Sequence, residues 1–93
     1  MCEELVDKYI RNTEPVFTEI KFLDEALHVD GAKINDVIDD AKRYLEDAKY
    51  YRGKKQYKTS LVSIAYCEGL LDALKTLGVV DFTWTAKKRE ELF

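Results

Sequence analysis

Between Tyr57 and Leu77 the chain carries apolar residues around most of a helix's circumference, and Gly78 closes the run. Leu61, Ile64, Leu70, Leu71, Leu74 and Leu77 recur at helical spacing and cover a wide arc. A helix of this kind is stable only when other elements wrap it, so the rest of the chain has to supply the wrapping. Beside the main arc lies a second stripe, Val62, Tyr66, Gly69 and Ala73. Glycine inside a helix costs about 1 kcal/mol against alanine, and close approach of a neighbouring helix is the simplest compensation.

Two earlier segments repeat the helical period. From Cys2 to His28, the residues Leu5, Tyr9, Val16, Ile20, Leu23 and Leu27 share one stripe. Pro15 interrupts it and Thr13 could cap a restarted helix, yet the stripe keeps its phase across the proline. The pattern therefore predicts one long first helix kinked near Pro15, not two helices at a wide angle. Asp30, in the turn Val29-Asp30-Gly31, is placed to cap a second helix over Ala32 to Arg52. Its buried face reads Ile34, Val37, Ile38, Ala41, Tyr44, Leu45, Ala48 and Tyr51. Acids (Asp36, Asp39, Asp40) come early and bases (Lys49, Arg52) late, as the helix dipole favours. Gly53 to Gln56 turns the chain into the third helix, because glycine suits the position just past a helix end. Val79 to Thr85 reads as an extended connector with no second strand to pair with, and Thr85 as the cap of a short last helix, Ala86 to Leu92.

Ninety-three residues support one hydrophobic core. The expectation is an all-α, three-helix up-and-down bundle with a short C-terminal helix, forming one domain over residues 1–93. Its core spans 2–78 and its tail 79–93. With 46% apolar and 35% charged residues the chain is of the folded, globular kind. A net charge of −3 argues against a dedicated nucleic-acid protein, which needs a basic surface for phosphates. The start, Met-Cys-Glu-Glu-Leu, has neither the basic nor the apolar region of a secretory signal, and no apolar run approaches the ~20 residues of a membrane span. The expected location is cytoplasmic. Cys2 and Cys67 stand far apart without a Cys-x-x-Cys pair, so neither zinc nor redox chemistry is indicated; Cys67 reads as a small core residue and Cys2 as a free thiol.

Few residues suggest chemistry. Glu25-Ala-Leu-His28 has the Glu/His spacing of di-iron bundles, but such sites need two of these motifs and the chain has one His. A solvated helix end, with His28 near the C-terminal dipole, explains it without metal. Asp36, Asp39 and Asp40 lack a glycine-punctuated ligand loop and read as first-turn acids. Arg52, Lys54, Lys55 and Lys58 interleave with Tyr50, Tyr51 and Tyr57, a surface able to contact phosphates and stack bases; its plainer reading is a solvated hairpin whose rings close the core. Trp84 beside Lys87, Lys88 and Arg89 is a weaker patch of the same type, better read as pinning the tail to the bundle. No nucleophile has a neighbouring base, and no phosphate-binding glycine loop is present, so neither catalytic residues nor a cofactor is expected.

Segments two and three also carry a recognisable pattern: Asp47-Ala48-Lys49-Tyr50-Tyr51, then Tyr57, then Tyr66-Cys67-Glu68-Gly69-Leu70-Leu71-Asp72-Ala73-Leu74. It resembles the short archaeal proteins grouped as domain of unknown function 357, with an Asp-Ala-x-Tyr/Phe helix followed by a Tyr-Ala-x-Gly-x-Leu-Asp-Ala helix. The resemblance covers roughly residues 5 to 80. It implies an archaeal cytoplasmic protein with a bundle similar to the albumin-binding-domain fold, and it implies no activity. Members tend to turn with Gly-Asp just before the aromatic residue of the last helix, where this chain has Lys55-Gln56.

Packing accounts for most of this motif, but Asp47 and Asp72 sit among apolar neighbours where a lone acid is costly to bury. Together with Tyr51, Tyr66, Gly69 and Ala73 they are the candidate ligand or partner contacts. The expected function is a non-catalytic helical protein-interaction module or adaptor, for a protein partner or for a homodimer. It would use the Val62, Tyr66, Gly69 and Ala73 stripe or the tail around Trp84. The alternative is a nucleotide- or RNA-binding domain in which Arg52, Lys54, Lys55 and Lys58 contact phosphate.

Overall fold

The computed structural model describes residues 2–23 and 30–84. In chain order it contains helix α1 (Cys2–Thr13), a single turn α2 (Val16–Glu19), strand β1 (Lys21–Phe22), helix α3 (Gly31–Gly53), helix α4 (Tyr57–Thr76) and strand β2 (Val80–Asp81). Helices dominate, as the periodicity predicts, and the architecture is an all-α bundle with one two-residue strand pair added.

Helix α4 is the one the others wrap. Ile64, Cys67 and Leu71 are fully buried and Leu74 nearly so, packed with Ile34, Ala41, Leu45 and Ala48 of α3. The seam between the two helices is lined by small side chains: Ala41 and Ala48 on α3, Ser60 and Ser63 on α4. Ser60 Oγ donates to the Ala48 carbonyl at 2.5 Å, which satisfies its buried hydroxyl and ties the two backbones. Close approach therefore runs through alanine and serine. It does not run through Gly69, which lies exposed on the opposite side of α4.

Helix α1 lies along α4 in the same direction and against α3 in the opposite one. Near its start, Glu3 and Asp7 meet Arg52 at the end of α3; at its end, Thr13 Oγ1 donates to Glu68 Oε1 at 3.3 Å. The buried residues of α1 are Val6 and Thr13, with Tyr9 and Ile10 half-buried, whereas Leu5 is exposed.

The first helix departs from expectation. It ends at Thr13, α2 adds one turn, and Ile20 (φ −60°, ψ 136°) turns the chain into an extended strand, so no helix kinked near Pro15 continues beyond Glu19. Pro15 has no N–H to give to the ladder, and its carbonyl accepts from the backbone and the hydroxyl of Thr18 at 3.1 and 2.8 Å. An unbroken helix would also leave Val79–Asp81 without a partner. Instead Lys21 pairs with Asp81 and Phe22 with Val80 in antiparallel register, and Leu23 N–H reaches the Val79 carbonyl at 3.1 Å. Val79, Val80 and Phe82 are buried, so the core extends past residue 78. The Glu25/His28 pair, Leu27, and the short helix over 86–92 lie outside the described residues.

The helix ends follow local chemistry. Asp30 caps α3, its Oδ1 accepting from Ala32 N–H at 2.9 Å. Gly78 (φ 76°) ends α4: its N–H bonds the Lys75 carbonyl at 3.0 Å and Val79 N–H the Leu74 carbonyl at 3.3 Å. The same two-bond motif ends α3, from Lys55 to Arg52 at 3.0 Å and from Gln56 to Tyr51 at 2.9 Å. There the left-handed residue is Lys55 (φ 60°), and Gly53 is still helical. Glycine would adopt this conformation without the steric cost that the Lys55 side chain carries.

Candidate interaction surface

The outward side of α4 is nearly free of charge. From Thr59 to Leu77 its exposed residues are Thr59, Val62, Ala65, Tyr66, Gly69, Asp72, Ala73, Thr76 and Leu77, and Asp72 alone among them carries a charge at neutral pH. Val62, Tyr66 and Leu77 are 68%, 54% and 71% exposed, a large amount of apolar surface left in water on a helix whose other side fills the core. Leu77 was expected in the core, but it is the C-cap residue of α4 and is rotated away from the side that Leu71 and Leu74 bury. A Cβ added at Gly69 would meet no atom of the described residues within 4 Å, so the glycine makes room for none of them. Together with Tyr66 and Leu70 it lines a shallow cavity of about 190 Å³.

Tyr66 does not lie free on this face. Tyr44 of α3 stacks on it with ring centroids 4.4 Å apart and planes inclined by 30°. That contact holds the phenol upright and loses little further rotamer freedom if a second surface covers it. Asp72 stands at the border of the face with its Oδ1 accepting from the Trp84 indole at 2.5 Å. Trp84 in turn meets Phe82 edge-on at 4.9 Å. Thr83 N–H donates to Glu19 at 2.8 Å, and Lys75 Nζ donates to the Phe82 carbonyl. Asp72 and Trp84 thus secure the chain after β2 against the bundle, the anchoring role the sequence suggests for the tryptophan. Lys87, Lys88 and Arg89 lie outside the described residues.

Of the candidate contacts, the structure gathers Tyr66, Gly69 and Ala73 on one face, with Asp72 at its edge. Asp47 is exposed on α3 beside Tyr44, in an open depression of about 650 Å³ that Asp39, Asp40 and Arg43 also line; Arg43 pairs there with Asp40. Tyr51 is half-buried and meets Tyr50 edge-on at 5.3 Å. No contact joins it to the α4 face among the described residues.

The basic hairpin is already partly neutralised. Arg52 Nε donates to Asp7 Oδ1 at 2.7 Å and its Nη2 to Asp7 Oδ2 at 3.1 Å and Glu3 Oε1 at 2.6 Å. This fork holds the Arg52 pKa well above its ordinary value, mainly through Asp7, and holds the Asp7 carboxyl below its own. Lys54 Nζ lies 5.6 Å from the centre of the Tyr50 ring. Lys55 and Lys58 line a cavity of about 370 Å³ with Cys2, Gln56, Tyr57 and Thr59. Burial, with Glu3 nearby, pushes the Tyr57 phenol upward. The four bases therefore do not form one free patch: Arg52 is committed to α1, and Glu3 sets a carboxylate beside the hairpin.

Sequence reasoning did not find Ser60, Ser63 and Thr13 as core residues. The signal was present in the spacing: Ser60 and Ser63 precede Ile64, Cys67, Leu71 and Leu74 on the same side of the helix. Cys67 is buried as expected, and burial pushes its thiol up to about 12. Among the described residues no group of three or more His, Cys, Asp or Glu converges to hold a metal, and no helix is long and apolar enough to cross a membrane.

No curated protein and no solved structure matches the chain. Over residues 8–80 it matches the family described as "Protein of unknown function (DUF357)", the span that includes α3, α4 and the Tyr66–Ala73 motif, and the chain belongs to that family.

Proposed function

We propose that this protein is a non-catalytic helical protein-interaction module, and that the outer face of α4 is its docking surface. One observation carries the reading: a helix that already supplies the core also exposes Val62, Tyr66, Gly69, Ala73 and Leu77 with no charged side chain among them. Soluble domains keep such surface for partners, because water-facing apolar area favours association. The Tyr44–Tyr66 stack supports the same role, since rigid aromatic anchors dominate binding energy at protein interfaces. The acidic composition supports a cytoplasmic setting, and the motif of α3 and α4 supports an archaeal source.

Val62→Glu is the direct test. The position is exposed, so the helix content and melting temperature of the variant stay close to those of the parent, while a charge enters the middle of the face. Association of the full chain, with itself or with a purified partner, should weaken at least about tenfold. Equal association by both chains overturns the reading. Nucleotide or RNA binding through Lys54, Lys55 and Lys58 is the competing outcome; it would survive Val62→Glu, fall steeply with salt, and vanish in Lys54→Glu/Lys55→Glu.

A further inference from the structure

Resting on that reading, we infer that the occupant of the α4 face is a second copy of this chain, packed antiparallel, with each Tyr66 ring seated over Gly69 of the partner subunit. The spacing of the exposed residues is the first argument. Thr59, Val62, Tyr66, Gly69, Ala73 and Thr76 recur at alternating steps of three and four, the period at which two helices pack side by side at a shallow angle. The same residues are self-complementary about a two-fold axis at the height of Cys67 and Glu68. There Tyr66 faces Gly69 of the partner subunit, Val62 faces Ala73 of the partner subunit, and Thr59 faces Thr76 of the partner subunit. Each large side chain meets a small one, and both members of every pair already lie on the exposed face. A parallel arrangement would set Tyr66 on Tyr66 and Gly69 on Gly69, a clash beside a void.

Gly69 acquires a reason in this arrangement. It weakens its own helix relative to alanine, and no atom of the described residues lies within 4 Å of a Cβ built there. The shallow cavity it lines with Tyr66 and Leu70 is apolar and open, a seat for a ring arriving from outside. Tyr44 holds the ring that its own chain would offer in return.

Charge and exposure agree. Antiparallel pairing brings exposed Lys58 to the C-terminal end of the opposing α4, the negative end of the helix dipole. Glu68 and Lys75 project from other sides of α4, and the Asp72 carboxylate is turned to Trp84, so no like charges are forced together across the face. The same pairing takes out of water the apolar side chains of Val62 and Tyr66, 68% and 54% exposed in the single chain.

The experiment is sedimentation equilibrium on the full chain, paired with a residue swap. The parent should run at twice its 10.8 kDa at about 100 µM. Gly69→Tyr, which opposes ring to ring, and Tyr66→Gly, which empties the seat, should each weaken the dimer about 30-fold or more. The double variant Tyr66→Gly/Gly69→Tyr restores ring against glycine in antiparallel pairing and keeps the helix composition, so it should recover at least about tenfold over either single change. Orientation is read by oxidative cross-linking in a Cys2→Ser background: Val62→Cys/Ala73→Cys should give a covalent dimer and Val62→Cys alone none. A parent that stays monomeric, a swap no tighter than the single variants, or cross-linking by Val62→Cys alone overturns the antiparallel dimer. A monomeric parent whose binding to a different purified protein is lost on Val62→Glu would leave the interaction-module reading standing while this inference falls.

Discussion

Helices α3 and α4 are of similar length, form a hairpin and share one core, yet their outer faces have opposite character. On α3 the exposed residues include Lys33, Asp36, Asp39, Lys42, Arg43, Glu46 and Asp47; of the exposed residues of α4 past Lys58, only Asp72 is charged. The inner faces are alike in being apolar and small at the seam, so the fold places the same demand on both helices. Packing therefore leaves the difference outside unexplained. A charged outer face keeps a helix in water, whereas the uncharged one, with Val62 and Leu77 standing out, is the surface we propose for docking.

The sharpest expected contrast lies within α4 itself, between its two sides. Cys67 marks the inner one, with its thiol pushed up to about 12 by burial. At pH 8 iodoacetamide should modify native Cys67 about a thousandfold more slowly than the same residue in urea, while half-buried Cys2 reacts in both. Comparable rates would mean that the α3–α4 seam opens readily. Leu71→Ala should cost about 2–5 kcal/mol in urea denaturation and Val62→Ala less than about 0.5, since Leu71 is fully buried and Val62 is 68% exposed. Similar losses would remove the distinction between a face that holds the fold and a face that does not.

Smaller effects probe the hairpin that joins the two helices. Lys55→Gly relieves a left-handed lysine and should stabilise the protein by about 1 kcal/mol, seen as a higher melting temperature. Smallest is the Arg52–Asp7 fork. The Asp7 pKa is lowered by its hydrogen bonds to Arg52, so its stabilising effect is present above the ordinary value of 3.8 and is lost as pH falls below that value. Because both groups are about one-third exposed, the change should stay under about 1 kcal/mol. Asp7→Asn should flatten that part of the stability curve between pH 5 and 2, a range set by ordinary carboxylate titration.

Much of this was legible in the sequence because helices announce themselves by period and cap. Asp30 and Gly78 stand at helix ends where residue chemistry puts them, and the buried side of α3 holds Ile34, Ala41, Leu45 and Ala48 as its spacing implies. What the spacing concealed depends on tertiary pairing. Ile20 to Leu23 continue an apolar stripe, and only the presence of Val79–Asp81 alongside makes them extended. Gly69 reads in one dimension as a contact with a neighbouring helix; among the described residues none lies against it, and Ala48 and Ser60 make the close approach. The candidate surface was half legible: Tyr66, Gly69 and Ala73 share a face by period alone. The stacking of Tyr44 on Tyr66, the commitment of Arg52 to Asp7 and the turn of Asp72 toward Trp84 needed three dimensions.

Which outer face carries association can be read directly from backbone amide chemical shifts of the isotopically labelled full chain, followed from dilute to concentrated solution. The account predicts concentration-dependent shifts at Val62, Tyr66, Gly69, Ala73 and Thr76 on α4 and none at Asp36, Arg43, Glu46 and Asp47 on α3. Shifts confined to α3, or a spectrum unchanged over the whole range, would contradict it.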